Sequence, residues 1–137
     1  MKKQIYLVLF VILLLILSWG VCKLFMNYDM KFEEYEQDRL EIIRMVKENE
    51  LVPDKLGNCI MPEEYKKLSQ DGWIYIYKND SEGQVISFWV LRGMQSGSIE
   101  LIYSTGGEEL IRANETGHPI ISIEKLKDNW YYVVTDY

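Results

Sequence analysis

Histidine is nearly absent from this chain. Of 137 residues only His118 is a histidine, and only Cys22 and Cys59 are cysteines. Two cysteines do not make a disulfide framework, and neither stands at a metal-ligand spacing from the other or from His118. A nucleophile–histidine pair would have to use His118, which precedes Pro119 in a loop. The serines and threonines fall in turns or on strand faces, with no G-x-S-x-G elbow. Gly106-Gly107-Glu108-Glu109 is a turn and not a phosphate loop, since no Lys-Ser/Thr follows and no G-x-G-x-x-G exists. These gaps set the expectation of a non-enzyme without a metal or cofactor. Positive charge is also scarce. Fifteen Lys and Arg face twenty-one Asp and Glu, for a net charge of -6 and a pI near 4.8. Such a chain is repelled by nucleic acid and by anionic lipid headgroups, and a basic protein is allowed as a partner.

What the chain does have is a long apolar run. Gln4 to Cys22 contains no charged residue, and Ile5 to Leu17 is apolar without a break. Nineteen residues in a helix rise about 28 Å, close to the hydrocarbon thickness of a bilayer. Tyr6 and Trp19 stand near its ends, where amphipathic rings prefer the membrane interface. Residues 1–26 are therefore expected to be an uncleaved transmembrane anchor, with the lipid bilayer as partner through 4–22. A cleaved signal peptide also has a positive start and an apolar middle. However, Ser18-Trp19-Gly20 and Gly20-Val21-Cys22 are bulky where signal peptidase needs small residues. A lipidated Cys22 would want Leu-Ala-Gly-Cys, and Trp19-Gly20-Val21-Cys22 departs from it. Lys2, Lys3 and the amino terminus are set against Lys23 and Lys31, which tips the domain to the outside of the cytoplasm in a single-pass protein of the cell membrane.

Residues 27–137 are expected to be one α+β domain: a helix over 27–52, a loop and short helix over 53–72, and a sheet over 73–137. Tyr28, Phe32, Tyr35, Ile42, Ile43 and Val46 recur at helical spacing, with Arg39 interrupting the stripe. Glu33, Glu34, Glu36, Asp38 and Glu41 fill the opposite, solvated face. The helix runs unbroken out of the apolar segment or restarts at Asn27 or Asp29, and Pro53 ends it, with Asn49 fraying the last turn. Pro62 opens the short helix at its first position, with acids first and lysines after, as the helix dipole prefers. At Trp73 the period changes to two. Strands are predicted at Trp73–Tyr77, Val85–Leu91, Ile99–Tyr103, Ile120–Leu126 and Trp130–Thr135, joined by polar turns such as 79–83 and 93–97. Glu108–Asn114 fits a short strand or a helical turn. The expected sheet is an antiparallel meander of four to six strands. Large residues alternate on both its faces, so one face takes the amphipathic helix and the other needs a different cover. Cys59 is expected to be a small, partly buried apolar residue.

Trp73, Tyr75 and Tyr77 share one face of their strand, as Trp130 and Tyr132 share one face of theirs. If the two strands are neighbours in register, the five rings form one flat patch, the candidate binding surface. The plainer expectation is that they are core. Met61-Pro62-Glu63-Glu64-Tyr65-Lys66-Lys67-Leu68-Ser69 follows a Leu-Pro-x-x-Tyr-x-x-Leu-Ser phrase, with Met61 in place of Leu. Leu91-Arg92-Gly93, Ile102-Tyr103-Ser104 and Leu126-Lys127-Asp128-Asn129-Trp130-Tyr131-Tyr132-Val133 come after it in order. Over 61–137 this set resembles small bacterial membrane-anchored or exported proteins with no established activity. The resemblance implies an envelope protein and carries over no catalytic residue. The functional expectation is a non-catalytic anchored domain that binds another protein. The alternatives are an immunity-type protein that neutralises a toxin at the membrane, or a cell-wall glycan binder that uses sheet aromatics.

Overall fold

The computed structural model describes residues 2–92, 97–114 and 118–136, with side chains for these except at 2–5, 7, 19–30 and 92. Residues 93–96 of the predicted turn, the roles given to Trp19, Cys22 and Lys23, and Thr116 and Gly117 of the loop at 116–119 therefore lie outside the described residues or side chains. The chain divides into two compact units, Met1–Gln37 and Asp38–Tyr137.

One helix, α1 (Lys2–Lys47), runs through the first unit and into the second without a restart at Asn27 or Asp29. Within the apolar run the described side chains stand exposed on every side of the helix, from Tyr6 at 69% to Ile12 at 47% and Leu17 at 57%, whereas Phe32, further along the same unit, is buried. Among the described residues no helix is long and apolar enough to cross a membrane. The consecutive side chains described within the run, 8–18, cover only about 16 Å of helix.

The second unit is α+β, as expected, with a six-stranded antiparallel sheet in the order β1-β2-β3-β4-β6-β5. Its strands are β1 (Asn58–Ile60), β2 (Trp73–Asp80), β3 (Gly83–Arg92), β4 (Ser98–Ser104), β5 (Ile120–Lys127) and β6 (Trp130–Thr135). The order corrects the meander: β6 lies between β4 and β5. The chain leaves β4 through a second helix, α2 (Gly107–Asn114), and this settles the ambiguous segment as helical. Ile111 on α2 is buried in a cluster with Val85, Ile102, Tyr131 and Val133. Burying that side chain carries the connection across a sheet face, so the chain lands one strand further out and returns as β6.

Two more corrections concern 47–72. The helix stops at Lys47, not at 52. Asn49 adopts φ 59, and the bonds Asn49 N–H to Val46 O (3.1 Å) and Glu50 N–H to Met45 O (2.8 Å) close a left-handed cap that satisfies its last carbonyls. The short helix expected after Pro62 is present, in 3-10 form (Glu63–Leu68), but β1 is a strand within a stretch read as loop.

Strand register defines the two faces. Cys59, Ile74, Phe88, Leu101 and Tyr132 are paired in a row across one face. The end of α1 packs there: Ile42 and Val46 are fully buried, and the Arg39 guanidinium lies 5.9 Å from the centre of the Phe88 ring. Arg39 thus stays on the apolar stripe by stacking its charge on an aromatic face. Asn58, Tyr75, Ser87, Ile102 and Tyr131 form the row on the other face, under α2.

Candidate functional site

The five candidate rings do not form one patch. β3 and β4 lie between β2 and β6, and the register puts Trp130 and Tyr132 on the α1 face, with Tyr75 on the α2 face. Trp130 is 1% exposed, with Phe88 at 6.0 Å and Tyr103 at 5.3 Å between ring centres, so it is core. Tyr132 is half-buried on the same face. Tyr75 and Tyr77 are half-buried against each other, with ring centres 4.5 Å apart. A Cβ on Gly57 would come within 3.0 Å of the Tyr75 ring, so that glycine, at φ 92, lets the turn close over it. Trp73, at 39%, is the only one of the five that stands exposed.

Beneath Tyr77 lies a feature the sequence hid. Glu100 is 2% exposed, and hydroxyls satisfy both carboxylate oxygens. Ser87 Oγ (2.5 Å) and Tyr77 Oη (3.3 Å) donate to Oε2, and Ser98 Oγ (3.0 Å) donates to Oε1. Ser98 Oγ also bonds Thr135 Oγ1 at 2.7 Å. Among the described residues no Lys or Arg forms an ion pair with Glu100. The group is closed to solvent, and its geometry orders the centre of the sheet without presenting a reactive atom. Ser98, Glu100 and Ser104 alternate in β4, which reads in sequence as a solvated strand face.

Trp73 belongs to a different place, the corner where β1 and β2 meet the segment after α1. Ile60 and Trp73 are directly paired across the two strands. With Val52 they wall an open cleft of about 440 Å³. Val52 is 69% exposed, Ile60 54%, and Leu56 on the adjoining turn 71%. Cys59 lies at the cleft and is itself buried, its Sγ 3.7 Å from Val52 O. Burial, helped by the nearby charge of Asp54, pushes its thiol pKa up, so Cys59 is a neutral apolar wall and a poor nucleophile.

Two carboxylates stand at the rim, Glu50 and Asp54. Asp54 Oδ1 accepts from the backbone N–H of Leu56 (2.8 Å) and Asn58 (2.9 Å), and the Leu56 bond is the main reason its pKa falls below the usual carboxylate value. Glu50 accepts from Arg44 Nη1 at 2.9 Å, which lowers its pKa also. Arg44 is shared with Glu41 and Glu48, so one guanidinium serves three carboxylates. Sequence reading missed this corner because Val52, Leu56 and Ile60 lie in a stretch broken by Pro53, Gly57 and Pro62, with no period to mark them.

A second open cleft, of about 600 Å³, lies beside the β2–β3 turn. Its wall is polar and internally bonded: Gln84 Nε2 donates to Asn79 Oδ1 (2.8 Å), and Asn79 Nδ2 to Val46 O (3.1 Å). It offers no apolar anchor.

No family model matches the chain, and no curated protein or solved structure matches it.

Proposed function

We propose that this chain is a non-catalytic, single-pass membrane protein whose acidic domain binds another protein outside the cytoplasm. The observation that carries the anchor is the first stretch of α1. A helix that is apolar all round is normally buried, yet its described side chains lie exposed from Tyr6 through Leu17. Lipid is the solvent that suits such a surface, and the uncharged run from Gln4 to Cys22 is long enough to reach across it. The domain carries the acidity: residues 38–137 hold eleven basic and seventeen acidic residues, while 1–37 balance. The exposed apolar corner at Val52, Ile60 and Trp73 favours protein binding, because isolated domains rarely leave several large apolar side chains together in water. Glycan binding would want a row of exposed rings, and four of the five candidates are buried or half-buried. The resemblance of 61–137 to small bacterial envelope proteins agrees with this reading. An immunity-type role is one form of it, and a toxin gene beside this one would support that form.

The test is membrane fractionation with an alkaline wash, together with a photo-crosslinking residue at Leu56. The expected result is a chain kept in the washed membrane pellet and a crosslink to a second protein. Release by the wash would overturn the anchor, and a Leu56 position that crosslinks to no protein would overturn the binding role.

A further inference from the structure

The corner around Trp73 also restricts what kind of partner fits. We infer that the partner presents a basic segment that inserts an apolar side chain into the cleft walled by Val52, Ile60 and Trp73. This rests on the proposal that the domain binds a protein, and it adds the chemistry and the mode of docking.

The cleft size comes first. About 440 Å³ lies within the range of roughly 300–1,000 Å³ typical of pockets that enclose a compact group. Val52, Ile60 and Trp73 give it an apolar side, while Asn58, Glu50 and Asp54 make the rest of its lining polar, so the group that fits is an apolar side chain on a polar segment. Aromatic and aliphatic anchors seated in such pockets carry most of the energy of protein contacts.

Charge comes second. The residues around the cleft include Glu50 and Asp54 and no Lys or Arg. Arg44, behind Glu50, is outnumbered by Glu41, Glu48 and Glu50. The field at the mouth is therefore negative, and it sits on a domain with a large acidic excess. A second copy of the chain would bring the same sign and be repelled, as would an anionic lipid surface. A segment with Lys or Arg on either side of its apolar anchor is attracted.

The third point is the sheet edge. β1 is an edge strand, and exposed edges commonly recruit a partner by strand addition. Here the turn folds back on that edge. Asp54 N–H donates to Asn58 O at 2.8 Å, and Asn58 N–H donates to Asp54 Oδ1 at 2.9 Å. Those backbone groups of Asn58 are already used, and the strand has only three residues. So short an edge, already bonded at Asn58 by its own turn, gives main-chain pairing little to hold, and recognition falls mainly to side chains.

The test uses the full chain in nanodiscs of zwitterionic lipid, panned against short random peptides on phage. The enriched peptides are then measured as synthetic fluorescent probes. Enriched sequences should carry Lys or Arg flanking Leu, Phe or Trp. Trp73→Ser should weaken them about tenfold or more, as expected for losing a central anchor. Val52→Ser, at an exposed position that does not support the core, should weaken them several-fold, and its melting temperature should match the parent. Glu50→Lys should weaken them further at low salt, with the difference fading by about 0.5 M salt. Enriched peptides without basic residues, or peptides that bind Trp73→Ser and Val52→Ser as tightly as the parent, overturn the inference. In the second case the domain still binds protein, at another surface. If no peptide is enriched and Leu56 crosslinks to no protein, both the inference and the function it rests on fall.

Discussion

Two regions of this molecule leave large apolar side chains uncovered, and they differ in everything except that. Along α1, Tyr6 and residues 8–18 are exposed around the whole circumference of a helix, with no charge among them. At the β1–β2 corner, Val52, Ile60 and Trp73 are exposed on one side of a folded unit and are rimmed by Glu50 and Asp54. Exposure alone does not say what covers a surface. Shape and charge do. A uniform apolar cylinder is matched by a solvent that is apolar on all sides, and a small patch with a charged rim is matched by a partner with one anchor and opposite charge.

The largest effect separates the regions at once. Leu13→Lys combined with Ile16→Asp places two charges in the cylinder, each costing about 2.5–3.5 kcal/mol for membrane insertion. The washed membrane pellet should lose the protein, with the melting of the domain unchanged. Charges at the corner, as in Val52→Asp, should leave membrane retention intact. If Leu13→Lys/Ile16→Asp stays in the pellet, lipid is not the cover.

Next comes a pair of tryptophans that each begin a strand. Trp130→Ala removes a fully buried ring and should cost about 3–5 kcal/mol by denaturant unfolding. Trp73→Ala should cost about 1 kcal/mol or less, as a partly exposed position outside the core cluster. A Trp73→Ala loss as large as that of Trp130→Ala would mean the corner is packing and not a docking surface.

These pairs also show how far the sequence was legible. The change of period at Trp73 placed β2, β3, β4, β5 and β6 within a few residues, because half-buried strands alternate. Alternation says nothing about which strands are neighbours, so it could not tell that two strands separate Trp130 from Trp73 and that Trp130 lies on the other face. The insertion of β6 depends on α2 crossing the sheet, and α2 has only Leu110 and Ile111 side by side to signal it. β1 is three residues long, too short to show a period. The candidate site was legible only at Trp73. Val52 and Ile60 join it through the turn held by Asp54, a local bond that leaves no apolar pattern.

A smaller effect sharpens the electrostatic half of the comparison. Glu41 and Glu50 are held below their ordinary value of 4.5, each mainly by hydrogen bonding to Arg44. Asp54 and Asp80 are held below 3.8, mainly by the Leu56 N–H and by Lys78. Groups whose pKa is depressed by folding stabilise the fold above their unfolded values and lose that contribution as pH falls through the folded ones. The domain should therefore keep its melting temperature from neutral pH down to about 4.5 and drop below that. Asp54→Asn and Asp80→Asn should shallow the drop. High salt should shrink the part due to the exposed Arg44 and Lys78 pairs, as circular dichroism melts across pH will show. A melting temperature that rises on acidification would contradict the assignment.

The most direct measurement asks both exposed regions the same question in one sample. In a Cys22→Ser/Cys59→Ser background, Leu13→Cys and Val52→Cys each carry one thiol, at positions 54% and 69% exposed in the folded chain. A membrane-impermeant maleimide is added to intact membranes and again after the lipid is dissolved. If α1 lies in lipid and the corner faces water, Val52→Cys reacts at once and Leu13→Cys reacts only after solubilisation. Equal labelling of the two before the lipid is removed would contradict the account.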